Sequence, residues 1–592
     1  MIRKIIQLIE PKEFKKFLLL IFLFILLGFV EVVGVGSIIP FLNSLSYSDI
    51  EESDRLTQFL YAFFNPKDYK EFLLITGSLV IFLLITSNFL RAYVLWFTSY
   101  FVWNNQATMS VNLLGNILNK PYANFLLENS AEYSKDVLAE TQNFISGLLL
   151  PLLTIISQSV ICFAIILALG IYDLKASLIA ISSIVSIFGI FFLIINKPIQ
   201  REGASRFKST NARFKVVDES LSSIKLLKLL NKEDYFVSLL KKPSYDFASA
   251  MAFQTFTKSL PRYVFEVVAF GGVILIALVN LFYGKNINDV ITLVGLFAFA
   301  GYRLLPSMSQ LYEAFNNLTF NNVVLERLHE QSLSEEEKLD DKRILELANE
   351  EPEYLFNNVS FSYDNASSKV LKNINLTLKG PSYIAIVGTT GSGKSTILDI
   401  LLGLLEPTEG EVKLNGKNIQ NYRKGELASL VGYVPQEIYL IDDTIKSNIA
   451  FGIDDGDVDF ERLENAAKLA NIHDFIIDNF ENGYLSVVGE RGTKLSGGQV
   501  QRIGIARALY NKPKVVILDE GTSNLDQITE SEVIENLINN PDTNLLITVA
   551  HRLKTITKCD EIIILNNGSI QDIGTYDKLR KNSKLFKGML EI

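Results

Sequence analysis

The run Gly388-Thr389-Thr390-Gly391-Ser392-Gly393-Lys394-Ser395-Thr396 has the spacing of a phosphate-binding loop. Gly388, Gly391 and Gly393 allow backbone N–H groups to turn inward around an anion, with Ser392 and Thr396 in the same turn. Lys394 neutralises β- and γ-phosphate charge, and Ser395 offers a hydroxyl to Mg²⁺. A second constellation lies downstream, where the apolar run Val515-Val516-Ile517-Leu518 ends in Asp519-Glu520. Asp519 suits the Mg²⁺ sphere, through water, and Glu520 suits a general base that polarises an attacking water. The chemistry implied is hydrolysis of ATP.

These residues need a strand and a helix to hold them. Tyr383 to Val387 reads as a buried strand leading into the loop, and Ile397 to Leu405 as an apolar helix leaving it. From about residue 350 onward, short apolar strands alternate with charged helices, as in an α/β domain. The sequence before about residue 320 is different. Six apolar stretches, about 17–41, 72–103, 143–171, 174–197, 262–283 and 289–311, are each long enough for a bilayer core of about 30 Å. The fold class expected is therefore a multidomain membrane protein, an all-α six-helix transmembrane domain followed by an α/β P-loop domain. The expected boundaries are 1–330 for the membrane part, 331–352 for a charged linker and 353–592 for the nucleotide domain. A chain of 592 residues, 48% hydrophobic, is too long for one core. A net charge of −9 argues against a nucleic-acid partner. The two cysteines, Cys162 and Cys559, make neither a disulfide framework nor a Cys-based metal site.

The basic N-terminus (Arg3, Lys4, Lys12, Lys15, Lys16) and the basic segment 198–261 read as cytoplasmic, and the acidic segment with Asp49, Glu51, Glu52 and Asp54 as external. An even number of spans returns the nucleotide domain to the cytoplasm, where ATP is available. The first apolar stretch is too long for a signal peptide and is followed by further spans, so it is expected to be retained. The connections 104–142 and 198–261 are long and helix-forming, levers that extend the spans into the cytoplasm. A short external helix presents Leu56, Leu60, Phe63 and Phe64 on one side. Two readings stand for it, packing on its own membrane domain or contact with lipid. Glu31, Arg91, Glu266 and Arg303 fall in or near apolar runs, where an ionised group costs on the order of 3 kcal/mol. Two readings stand here too: ion pairs among themselves, with Arg91 and Arg262 snorkelling at the rim, or arginine forks turned to a phosphate or other anion.

Leu495-Ser496-Gly497-Gly498-Gln499, followed by an Arg- and Ala-rich helix, makes the chain resemble the ATP-binding cassette (ABC) superfamily over essentially its whole length. The resemblance implies that Ser496, Gly497, Gly498 and Gln499 of one subunit close over the γ-phosphate held by the P-loop of another. It therefore implies a homodimer with twelve spans and two composite sites. It further implies that Tyr363 stacks on adenine, that Gln436 touches Mg²⁺ and senses the membrane domain, that Asp526 closes the D-loop Ser523-Asn524-Leu525-Asp526, and that His551 contacts the γ-phosphate. His329 and His473 keep structural roles. Gly489-Glu490-Arg491-Gly492 resembles the stretch that meets coupling helices. Gly521 and Asn524 stand where the family usually has alanine, which alters D-loop flexibility without removing a catalytic group.

Spans fused ahead of the cassette resemble the half-size exporter layout, with coupling helices at about Pro121 to Tyr133 and Ile224 to Tyr235, the second crossing to the partner's cassette. Phe29-Val30-Glu31, Phe89-Leu90-Arg91-Ala92, Arg262-Tyr263 with Glu266, and Tyr302-Arg303-Leu304-Leu305-Pro306-Ser307 look like stretches of bacterial lipid-linked oligosaccharide flippases. The short external helix is also similar to a feature of those flippases that engages the polyprenyl tail. That similarity implies a pyrophosphate-linked glycan as cargo and the bacterial inner membrane, with its lipid, as surroundings. Export of a peptide, another lipid or a drug is the alternative. An ATP-gated channel or regulator is a further one, against which Glu520 and His551 speak; a purely soluble ATPase does not fit the six apolar stretches.

Overall fold

The computed structural model describes residues 1–46, 55–126, 130–172, 174–283, 287–332, 351–363, 368–422, 424–550 and 555–590. His551 and most of the expected linker lie outside the described residues, as do the acidic residues of the first external segment. The chain divides into two compact units, Met1–Lys120 with Phe125–Glu336, and Pro121–Asn124 with Glu337–Ile592.

The first unit is helical throughout. Among the described residues, four helical runs are long and apolar enough to cross a membrane: Pro11–Leu42, Tyr69–Leu118, Ala131–Ile171 and Glu233–Val279. The stretches 174–197 and 289–311 lie on the helices Leu174–Ser222 and Ile287–Phe320. Three helices run far beyond a bilayer's need: Tyr69–Leu118 and Glu233–Phe282 have 50 residues each and Leu174–Ser222 has 49, about 75 Å at 1.5 Å per residue. The turn between the last two is made by the helix Ile224–Leu230, ended by Asn231 at φ 52°, a left-handed position that Asn tolerates. The short helix Arg55–Phe64 does two things at once. Thr57 is buried and the Tyr61 ring meets the buried Phe72 edge-on at 5.0 Å, while Leu56, Phe59 and Phe63 remain exposed.

Close approach is built into the helix packing. A Cβ at Gly203, on Leu174–Ser222, would run into the Phe320 carbonyl oxygen. Nearby, buried charges are matched pairwise. Lys135 Nζ lies 2.9 Å from Asp136, Asp136 also accepts from Arg327 Nε (3.0 Å) and Gln331 Nε2 (2.7 Å), and Arg206 lies 3.5 Å from Glu140 and donates to Asn321 (3.1 Å). Burying such ions is tolerable only because each has a counter-charge. Sequence patterning does not reveal this network, since charged residues at helix ends ordinarily face water.

The second unit has two sheets. Four antiparallel strands take the order β2-β1-β4-β5, with β1 Glu353–Phe361, β2 Leu371–Lys379, β4 Glu409–Leu414 and β5 Lys417–Asn418. The larger sheet, β10-β9-β3-β8-β7-β6, comprises β3 Ser382–Gly388, β6 Val431–Val434, β7 Val515–Asp519, β8 Leu545–Val549, β9 Glu561–Asn566 and β10 Ser569–Gly574. All neighbours in it are parallel except the edge pair β9 and β10. Strands covered on both faces read as continuous apolar runs rather than alternating ones, which is why Tyr383–Val387 and Val515–Leu518 stand out in the sequence. Pro121–Asn124 belongs to this unit, with Ala123 packed against the core that includes Ile397 and Ile400.

Candidate functional site

Parallel register decides what meets at the site. β3 ends at Gly388, β7 at Asp519 and β8 at Val549, with Ile386 paired to Val549 and Val549 to Asp519. The P-loop, the two carboxylates and the end of β8 therefore lie together at the carboxyl edge of the sheet, where open α/β sheets bind ligands.

The P-loop is a turn that only glycine can complete. Gly391 has φ 76° and Gly393 φ 102°, and a Cβ on Gly393 would lie 2.7 Å from a Leu371 methyl. The chain then enters the helix Lys394–Leu401, whose first N–H groups point back into the loop. Lys394 folds over the turn, its Nζ donating to the carbonyls of Gly388 (2.9 Å) and Thr389 (3.0 Å). Burial holds its ammonium below the usual lysine value, while Glu520 and Asp519 pull it back up. The buried Ser392 hydroxyl makes no hydrogen bond among the described residues. A buried lysine and an unsatisfied hydroxyl inside a glycine cradle suit a polyphosphate. Tyr363 stands beside this helix, its hydroxyl 3.3 Å from that of Thr396 and its ring edge-on to Phe361 at 4.9 Å.

Glu520 leaves β7 with φ 52°, a left-handed conformation that costs a non-glycine residue about 1–2 kcal/mol. Its carboxylate accepts from Gln436 Nε2 at 3.0 Å, so two residues 84 positions apart form one pair. Around Asp519 the structure adds two residues that sequence reading missed. The phenol of Tyr433 is raised above the tyrosine range, by burial first and then by the nearby carboxylates of Asp519 and Asp399. Burial and then Asp519 push the Asp399 carboxyl up to about 6. Tyr433 has a faint sequence signal, lying three residues before Gln436; Asp399, within the P-loop helix Lys394–Leu401, has none.

The signature forms a helix N-terminus. Ser496 caps Gly497–Leu509: its backbone N–H donates to Gln499 Oε1 (2.7 Å) and its hydroxyl accepts from the Gln499 N–H (3.4 Å). The cap leaves Ser496 and Gly497 exposed, with their end of the helix open to an anion. Asp526 caps a different helix, Gln527–Ile538, accepting from the N–H groups of Ile528 and Thr529 (3.1 Å each) and the Thr529 hydroxyl (2.7 Å). Those hydrogen bonds, the Thr529 hydroxyl foremost, hold its carboxyl below the usual range.

In the helical unit, three of the four charged candidates converge. Glu31 is 1% exposed; its Oε1 accepts from Ser87 (2.9 Å) and Arg91 Nη2 (2.6 Å), and its Oε2 lies 3.2 Å from Arg303 Nη1. Arg303 is itself 7% exposed and its Nε has no partner among the described residues. Glu266 is not part of this group; it pairs along its own helix with Arg262 Nε at 3.1 Å, the arginine exposed and the glutamate partly so. The ion-pair reading therefore describes all four, and the two arginines against one carboxylate leave the first cluster with an excess positive charge. Ser87, one turn before Arg91, was missed although its i, i−4 spacing puts it on the same face.

A glycine-cradled nucleotide site on a largely parallel sheet, joined in one polypeptide to a bundle of membrane-length helices, defines a P-loop nucleoside triphosphatase of the membrane. Residues 371–523 match the ABC transporter family and residues 17–303 the ABC transporter transmembrane region. The chain is 32% identical over 429 residues to the ABC transporter ATP-binding protein YfiB of Bacillus subtilis (strain 168), covering 68% of this chain and 71% of that one. YfiC of the same strain is 28% identical over 518 residues, covering 86% and 85%. YgaD, whose name assigns it provisionally to multidrug export, is 35% identical over 308 residues, covering 52% and 53%. A bacterial Atm1-family ABC exporter with ATP bound has the same fold, with a TM-score of 0.81 over 98% of this chain and 99% of that one at 21% identity. The chain belongs to the ABC transporter family, with its membrane region and its ATP-binding cassette in one polypeptide. As a member it binds ATP and couples its hydrolysis to transport.

Proposed function

We propose that two copies of this chain form an exporter in a bacterial cytoplasmic membrane, with six spans each and the cassettes in the cytoplasm, and that its cargo is a lipid-linked oligosaccharide moved by its pyrophosphate. The cargo reading rests on the Arg91, Glu31 and Arg303 cluster, whose excess positive charge and partnerless Arg303 Nε suit an anion drawn into an apolar domain. The flippase-like stretches around Glu31, Arg91 and Arg303 support the same class. A second reading, export of drug-like molecules, is favoured by the name of YgaD.

In the cassette, Gly388, Gly391, Ser392, Gly393 and Thr396 cradle the phosphates and Lys394 neutralises them. Ser395, Asp519 and Gln436 would hold Mg²⁺, which when bound draws charge off the phosphate oxygens. Tyr363 carries the adenine face. Glu520 takes the proton of the attacking water, and Gln436, already hydrogen-bonded to it, orients that carboxylate. His551 meets the γ-phosphate, and Ser496 to Gln499 present their helix N-terminus to the nucleotide of the other copy. Asp526 shapes the D-loop through its capping bonds. ATP drives transport to the extent that it binds the closed cassette pair better than the open one.

The test is flipping in proteoliposomes, with a lipid-linked oligosaccharide labelled on its glycan and ATP on the cassette side, native protein against Glu520→Gln. Loss of accessible label with native protein alone supports the assignment. Robust ATP turnover without flipping defeats the cargo reading and directs the search to drugs and other lipids.

A further inference from the structure

The signature helix holds a second glutamine, Gln501, which faces inward and is 2% exposed. Its amide bridges two points of the segment that follows β7. Nε2 donates to the backbone carbonyl of Glu520 (3.3 Å), and Oε1 accepts from the backbone N–H of Asn524 (2.8 Å). The orientation of the amide is dictated by its partners, because one is a carbonyl that can only accept and the other an N–H that can only donate. The Glu520 carbonyl takes a second donor, the Ser523 N–H at 3.0 Å. A residue held at φ 52° persists only where its surroundings over-determine it, and these bonds supply that constraint. On the other side, the Glu520 carboxylate is held by Gln436. One buried side chain thus ties the helix that carries Ser496-Gly497-Gly498 to the backbone of the general base and to the D-loop.

We infer that Gln501 is a positioning residue that couples the two ATP sites of the dimer. This rests on the composite-site reading above. In that arrangement the signature of a protomer serves one ATP and its Glu520 serves the other. Engagement of nucleotide at the signature end then displaces, through Gln501, the turn that aims Glu520 at the second nucleotide. A carboxylate at 501 would set an acceptor against the Glu520 carbonyl, and an apolar side chain would leave the Asn524 N–H unsatisfied and the Glu520 carbonyl with the Ser523 N–H alone.

The experiment uses the full-length protein in nanodiscs, comparing native chain, Gln501→Met, Gln501→Glu and Glu520→Gln. ATPase rate against ATP concentration gives kcat and the Hill coefficient; a fluorescent ATP analogue gives nucleotide affinity separately. For both Gln501 variants, kcat falls about tenfold, the rate equivalent of one buried hydrogen bond, and the Hill coefficient falls to unity. Nucleotide affinity stays near native, while thermal stability drops in Gln501→Met by the cost of the unpaired Asn524 N–H, so rates are compared at a temperature where every variant is fully folded. Native cooperativity in either variant, or nucleotide affinity falling in parallel with kcat, overturns the coupling role. A native Hill coefficient of one overturns it as well. If Glu520→Gln hydrolyses ATP at the native rate, the general-base reading fails instead, an outcome separable from any result at Gln501.

Discussion

Glu31→Gln is the most informative change in the membrane domain, because the substituted side chain keeps its size while losing its charge and exchanging one acceptor oxygen for an NH2 donor. The Glu31 carboxylate faces Arg303 at 3.2 Å and Arg91 at 2.6 Å, with Ser87 as a third donor. At 3.2 Å and an effective dielectric of 20, the pair with Arg303 carries roughly 5 kcal/mol of gross attraction. Arg91 is 43% exposed and can turn toward water, but Arg303 cannot, and its Nε already lacks a partner. Removing the carboxylate leaves a buried guanidinium opposed only by an amide, at a net loss of about 3–5 kcal/mol. Arg303→Gln in the same background removes the orphaned charge and recovers about 2 kcal/mol of that loss. Unfolding by SDS in mixed micelles, followed by tryptophan fluorescence, reads this directly, since both tryptophans, Trp96 and Trp103, lie on the Tyr69–Leu118 helix with Arg91. If Glu31→Gln is as stable as the native chain, or if the two substitutions add within about 0.5 kcal/mol, the three groups are not a coupled buried cluster.

Two further outcomes follow from the packing and the charges. Gly203→Ala forces the Leu174–Ser222 helix off the Phe320 carbonyl and costs about 1–3 kcal/mol, whereas Gly189→Ala on the same helix meets open space and gains up to about 1 kcal/mol; thermal stability of the two variants in one detergent checks the opposite signs. Asp399 has a folded pKa raised to about 6, so the folded cassette binds more protons than the unfolded one, and stability falls as pH rises from about 4 to about 6. Asp399→Asn removes this term and stabilises the protein at neutral pH by on the order of 1 kcal/mol, after discounting for its solvent-facing part. Chemical unfolding at pH 5 and pH 7.5 tests this: an equal gain at both values contradicts the assignment.

The local parts of this protein are written in short windows of its sequence. The P-loop, the Asp519-Glu520 pair, the Ser496 cap with Gln499 and the strands that lead into them depend on neighbours within a few residues. Backbone stereochemistry and hydrogen-bond reach therefore make them readable in one dimension. Long apolar runs announce membrane helices for an equally local reason, the cost of leaving backbone and charge in hydrocarbon. Pairing between distant segments is another matter. Glu31 lies 272 positions from Arg303, Gln436 lies 84 from Glu520, and the bond from Gln501 to Glu520 spans 19. Nothing in the residue types selects these partners over others. Arg303 and Arg262 are both arginines near apolar runs, yet packing of the helices gives Arg303 a buried carboxylate and leaves Arg262 with its helix neighbour Glu266. The sequence alone determined which groups are available for chemistry; the tertiary structure decided which of them meet, because only helix packing and sheet register bring side chains from remote segments within a few ångströms.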